Sequence, residues 1–124
     1  MARHSPRFLK LVAESKQGVR ELTIEDVKPR LDRGESFHLV DVREESEWAA
    51  GHLPNAAHLS RGIIERDIEQ RIPDLNAEII LYCGGGYRSA LTAESLMKMG
   101  YRNVFSMDGG YRAWCEAGYP VIKG

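Results

Sequence analysis

Read for apolar and polar positions, the chain alternates short hydrophobic runs with amphipathic stretches of helical period. The runs at 19–22, 37–42, 57–59, 79–82 and 104–106 are of strand length, and Ile79-Ile80-Leu81-Tyr82 is apolar throughout, the pattern of a strand covered on both faces. Between them lie helical signals. Ser5 and Pro6 resemble an N-cap and first turn, followed by Phe8, Leu9, Leu11 and Val12 on one face of a helix ending near Gly18. Thr23-Ile24-Glu25-Asp26 is a capping arrangement opening a helix to about Arg33, with Gly34 behind it. Further helices are expected at 44–50, stopped by Gly51, at 63–71 with Ser60 as its cap, at 88–99 before Gly100, and at 111–117 before Gly118 and Pro120. Strands alternating with helices predict an α/β fold, a three-layer α/β/α sandwich on a mainly parallel sheet. The expected division is an N-terminal helical extension at 1–18 and one domain at 19–124.

The stretch with chemical promise follows the most apolar strand. Cys83 is succeeded by Gly84, Gly85, Gly86 and Tyr87, then by Arg88 and Ser89, where a helical pattern starts. Glycines permit positive φ and close approach to a ligand, so the N–H groups of such a loop can turn inward as an anion-binding nest. The following helix adds its positive end at the same place. A thiol held there is favoured as thiolate, which makes Cys83 the candidate nucleophile. A lone cysteine ending an apolar strand is also an ordinary core residue. The Cys-x4-Arg spacing on a glycine-rich turn tips the reading toward function, because it sets a guanidinium beside the thiol.

Composition narrows the classes. The 124 residues fit one domain, and 43% hydrophobic with 28% charged residues is a folded globular composition. A net charge of −1 gives no reason to expect nucleic acid or an anionic membrane as partner. No apolar span approaches the roughly 18 residues of a membrane helix. The basic start through Arg7 is followed by an apolar stretch interrupted at Lys10, too short for a signal sequence. Two cysteines, Cys83 and Cys115, suit a reducing compartment, so a cytoplasmic location is expected. The four histidines lack Cys/His ligand spacing, and no metal site is expected.

Three segments together resemble one family. Leu39-Val40-Asp41-Val42-Arg43 with Glu47-Trp48 and Gly51-His52-Leu53-Pro54-Asn55-Ala56 is similar to the first signature of rhodanese domains; the loop from Cys83 to Ser89 resembles their active site; and Asp108-Gly109-Gly110-Tyr111-Arg112-Ala113-Trp114 resembles their closing motif. The resemblance spans residues 22–120 and implies a rhodanese-like fold and a sulfurtransferase that carries sulfane sulfur as a Cys83 persulfide. It implies a small donor such as thiosulfate and a thiophilic acceptor, cyanide or a thiol, with a thioredoxin-like or other sulfur-acceptor protein as a further candidate. Cys83 and Arg88 would be catalytic, with Gly84, Gly85, Gly86, Tyr87 and Ser89 forming the loop that holds persulfide and anion. No cofactor is required. Asp41, Arg43 and Arg61 are supporting candidates, each also readable as structural or solvated charge. Glu47 and His52 are expected to hold the loop together, Trp114 to be core, and Cys115 to be inert.

Two rivals use the same ingredients. A phosphatase or arsenate reductase resembles Cys-x5-Arg, one residue longer than the spacing here, usually with His before the cysteine where this chain has Tyr82. A regulatory or sulfur-relay module on the same fold would serve one dedicated protein partner.

Overall fold

The computed structural model describes residues 4–123. In chain order the elements are α1 (Pro6–Lys16), β1 (Arg20–Leu22), α2 (Ile24–Asp32), β2 (His38–Asp41), α3 (Glu45–Ala50), β3 (Ala57–His58), α4 (Ile64–Arg71), β4 (Ile79–Tyr82), α5 (Tyr87–Lys98), β5 (Val104–Met107) and α6 (Gly110–Glu116). The five strands form one parallel sheet in the order β1-β5-β4-β2-β3. The α/β class with its rhodanese-like parallel sheet is thus observed, and the sheet is parallel throughout rather than mainly so.

Alternation along β4 sorts the core into two layers. Ile79 and Leu81 face one side, with Val40, Val104, Ile64 and Ile68 of α4 and Ala93 and Leu96 of α5. Ile80 and Tyr82 face the other, with Leu39, Met107, Val27 of α2 and Trp114 of α6. A central parallel strand needs apolar residues on both faces, which is why β4 is an unbroken run. Each fully buried Ile or Leu contributes about 1.5–3 kcal/mol. Among the described residues, no helix is long and apolar enough to cross a membrane.

The chain runs outward from β2 to β3 and then returns to place β4 on the other side of β2, so its direction across the sheet reverses between β2 and β4. Asp41 and Tyr82, the last residues of these strands, are register partners. Ligands of open parallel sheets bind outside the carboxyl ends at such a reversal. The residues just beyond, Arg43 and Cys83, therefore arrive together at the crevice.

The capping expectation at Thr23 holds: its hydroxyl accepts from the Asp26 N–H at 3.1 Å while the Asp26 carboxylate accepts from the Thr23 N–H at 2.9 Å. Ser5 likewise takes the N-cap position of α1 with Pro in the first turn, as expected, though without a side-chain cap bond, since Pro leaves one donor fewer to satisfy. The expectation at Ser60 needs correction. Ser60 does not cap α4 through its side chain; its carbonyl accepts from the N–H groups of Ile63 and Ile64, and Ile63 occupies the cap position. The helix α1 lies on α5, burying Val12 and Ser15, and the Ser15 hydroxyl is 2.9 Å from a Glu94 carboxylate oxygen.

Candidate active site

Cys83 follows the buried strand β4 and is itself 1% exposed. Its sulfur receives the Gly86 N–H at 3.1 Å and the Ser89 N–H at 3.4 Å. This inward turn of the amides depends on where the loop's carbonyls go. The Cys83 and Gly84 carbonyls accept from the Tyr111 and Arg112 N–H groups at 2.8 and 3.0 Å, the first turn of α6. Gly110 makes that approach possible, with φ +56° and no room for a Cβ against the Cys83 carbonyl. Gly86 closes the loop in the left-handed region, at φ +95°, as the N-cap of α5.

Behind the sulfur lies a buried hydroxyl chain that joins the expected loop residue Ser89 to Ser106, which sequence reading missed. The Ser89 hydroxyl is 3.5 Å from the Cys83 sulfur and 2.8 Å from the Ser106 hydroxyl, and both serines are fully buried. A thiolate can only accept, so with Cys83 ionised Ser89 donates to sulfur and Ser106 donates to Ser89. The available signal was a serine inside the otherwise apolar Val104-Phe105-Ser106-Met107 strand. Ser106→Ala removes one neutral hydrogen bond from the chain, about 1 kcal/mol. Alkylation of Cys83 by iodoacetamide at neutral pH, followed by mass spectrometry of the Cys83 peptide to exclude the exposed Cys115, is expected to slow about fivefold. An unchanged rate would leave the serine pair a packing feature.

Arg88 lies beside the loop, but its guanidinium is engaged. It makes two bonds to the Glu47 carboxylate, at 2.8 and 3.0 Å, so the two charges fix each other's position. The hydrogen bonds from Arg88 hold the Glu47 carboxyl below its usual range, and Glu47 in turn raises Arg88. A carboxylate lowered in the folded state contributes stability above its ordinary value of about 4.5 and loses it as pH falls through the lowered one. Thermal melting from pH 7 down to pH 3 is accordingly expected to show a smaller acid loss for Glu47→Gln than for the unmodified chain; equal losses would mean the pair contributes nothing to folding.

Asp41 and Arg43 form a second pair, buried at the end of β2. The Arg43 guanidinium meets the Asp41 carboxylate at 2.8–3.1 Å and the Gly51 carbonyl at 2.6 Å, while the Arg43 N–H also donates to Asp41. Burial opposes charge on Arg43, yet the bonds from Asp41 keep it protonated. Its guanidinium stacks 4.1 Å from the Tyr111 ring centroid. Beside this pair Trp48 lies against His52 and His58, and the His58 Nε2 is 2.7 Å from the Arg43 carbonyl. The buried His52 Nδ1 has no hydrogen-bond partner among the described residues, and burial lowers the ring's pKa. Trp114 is wholly buried, as expected of a core residue.

Cys83, Arg43, Glu47, Arg88, Arg61 and Tyr111 are among the residues that line one cavity of about 920 Å³. Of the sequence candidates, Gly84, Gly85 and Tyr87 also line it, whereas Asp41 stands behind Arg43 and Gly86 and Ser89 act from beneath the sulfur. Arg112 and Cys115 of α6 and His4 and Phe8 at the N-terminus line it too, beyond what the motifs suggested. No group of three His, Cys, Asp or Glu side chains among the described residues gathers as a metal centre would.

Comparison with known proteins agrees with this architecture. The family description "Rhodanese-like domain" matches residues 23–117. YrkF of Bacillus subtilis, described as a sulfur carrier, is 32% identical over 82% of this chain, which spans 54% of that relative. A sulfurtransferase of Allochromatium vinosum is 34% identical over 84% of this chain and 95% of its own. The thiosulfate sulfurtransferase GlpE of Haemophilus influenzae is 37% identical over 67% of this chain and 77% of its own. Among solved structures, RPA3614 of Rhodopseudomonas palustris, described as of unknown function and a possible tyrosine phosphatase, superposes with TM-score 0.81 and 28% identity, covering 98% of this chain and 99% of its own. With the family match running from α2 through α6, the chain belongs to the rhodanese-like domain family.

Proposed function

We propose that the protein is a sulfurtransferase that moves sulfane sulfur through a persulfide on Cys83. The observation that carries this reading is the sulfur itself, which accepts two backbone N–H groups at the floor of an open cavity. In the first step the Cys83 thiolate attacks the outer sulfur of thiosulfate. A bond forms from Cys83 to that sulfur, the sulfur–sulfonate bond breaks, and sulfite leaves with the electron pair. In the second, cyanide or a thiolate attacks the outer sulfur and the pair returns to Cys83, a double displacement with one covalent intermediate. The ring of amides from Gly84 to Ser89 would hold the negative sulfur as an oxyanion hole holds oxygen. Because Glu47 already neutralises Arg88, that residue acts in this reading mainly by holding the loop, and Arg61 and Arg112 at the rim attract the anionic donor. The names of the Haemophilus and Allochromatium relatives support the reaction class.

A phosphatase reading is disfavoured by size, since only four residues separate Cys83 from Arg88 and the loop amides bond the sulfur itself. Intact-mass measurement after mixing with thiosulfate tests the proposal: a gain of about one sulfur (~32 Da), removed by cyanide, is expected. No gain with thiosulfate or with a small-molecule persulfide would refute it.

A further inference from the structure

The family match begins at residue 23, after α1 has ended at Lys16, yet this helix reaches the cavity. Phe8 and His4 line the same space as Cys83. Both meet Tyr87, the loop residue next to Arg88: the His4 and Tyr87 ring centroids are 4.8 Å apart, Phe8 and Tyr87 6.1 Å, and His4 and Phe8 5.3 Å. Lys16 stands 5.3 Å from the Tyr87 ring centroid and pairs with Glu21 and Asp108, fixing the end of α1 beside the loop. One side of the cavity is therefore a three-ring aromatic wall, two rings of which lie outside the domain the family shares.

Such a wall has no role toward an inorganic substrate. Thiosulfate and cyanide are small, while a cavity of about 920 Å³ has the volume of an organic ligand site. Two of the cavity's guanidinium groups are already paired, Arg88 with Glu47 and Arg43 with Asp41, so an entering organic group gains more from the ring faces than from them. Resting on the persulfide reading above, we propose that α1 is a specificity element, and that His4, Phe8 and Tyr87 bind the apolar or aromatic body of a low-molecular-weight thiol that accepts sulfur from Cys83. The acceptor thiolate attacks the outer sulfur, an S–S bond forms to the organic thiol, and the electron pair of the broken bond returns to Cys83.

The test uses two thiols of similar acidity, phenylmethanethiol and 2-mercaptoethanol. The chain is first loaded with thiosulfate and freed of sulfite, and then discharge of its persulfide is followed by mass. The unmodified protein is expected to favour phenylmethanethiol by at least about tenfold in kcat/KM, chiefly through KM, after correction for the two thiols' rates with a free persulfide in solution. Phe8→Ala and His4→Ala are each expected to reduce this ratio about five- to tenfold. His4 is exposed, so its replacement does not put folding at stake. A corrected ratio near one in the unmodified protein, or variants that keep its ratio, would overturn the role of α1. Failure of the loading step would overturn the persulfide reading itself and this inference with it, and is seen before any acceptor is added.

Discussion

Cys83→Ser is expected to abolish sulfur loading completely while leaving the fold unchanged. The side chain lies at the floor of the cavity, where it accepts N–H groups from Gly86 and Ser89 and contacts the Ser89 hydroxyl, all of which an oxygen can also engage. Serine is nearly isosteric, so the buried end of β4 stays packed. Its hydroxyl is not ionised at neutral pH and forms no persulfide, so the double displacement has no first step. Intact mass after thiosulfate should show no added sulfur, and thiosulfate-dependent cyanide turnover should fall to background, with an unchanged circular dichroism spectrum and melting temperature. Retention of turnover near the unmodified level would remove Cys83 from the mechanism, and would point next to the exposed Cys115 in the same cavity.

The second large effect concerns stability. Asp41→Ala leaves the Arg43 guanidinium buried without its bonded carboxylate, with the Gly51 carbonyl, the Tyr82 and Tyr111 rings and the unbonded Glu47 charge around it. Breaking a buried pair by removing one partner costs about 3–5 kcal/mol, because the remaining charge is uncompensated. For a domain of this length the expected fall in melting temperature is roughly 10–20 °C. The double replacement Asp41→Ala with Arg43→Met removes the orphaned charge and should recover much of the loss. That comparison separates the penalty of an unpaired charge from the value of the pair. A single variant melting within a few degrees of the unmodified protein would show that Arg43 can reach water from its present place. Activity should fall with Asp41→Ala as well, since Arg43 lines the cavity and ties β2 to Gly51 at the end of α3.

The order of elements was legible because burial leaves a periodic trace. Ile79-Ile80-Leu81-Tyr82 is apolar at every position since β4 is covered on both faces, and Thr23 with Asp26 marked a helix start that needs only local hydrogen bonds. The cap at Ser60 was misread because that residue precedes a turn whose backbone carbonyl already satisfies the N–H groups of Ile63 and Ile64. The charges at Asp41, Arg43, Glu47 and Arg88 were visible as charges. An ion pair between Asp41 and Arg43, two positions apart, was among the readings their spacing allowed, whereas the Glu47–Arg88 pair was not legible, because its partners lie 41 positions apart.

The local chemistry is written in the order of residues: a cysteine at the end of a buried strand, glycines that let the next amides face its sulfur, and a helix beginning there. These follow from φ/ψ preference and short-range geometry, which a chain carries wherever it is placed. Tertiary structure alone decided which groups complete the site. Ser106 reaches Ser89 because β5 lies beside β4, and α6 receives the loop carbonyls because the last helix packs at that end of the sheet. His4 and Phe8 reach the cavity because α1 lies along α5. Each of these depends on which apolar faces bury one another, and a face records only that it must be covered, not by what.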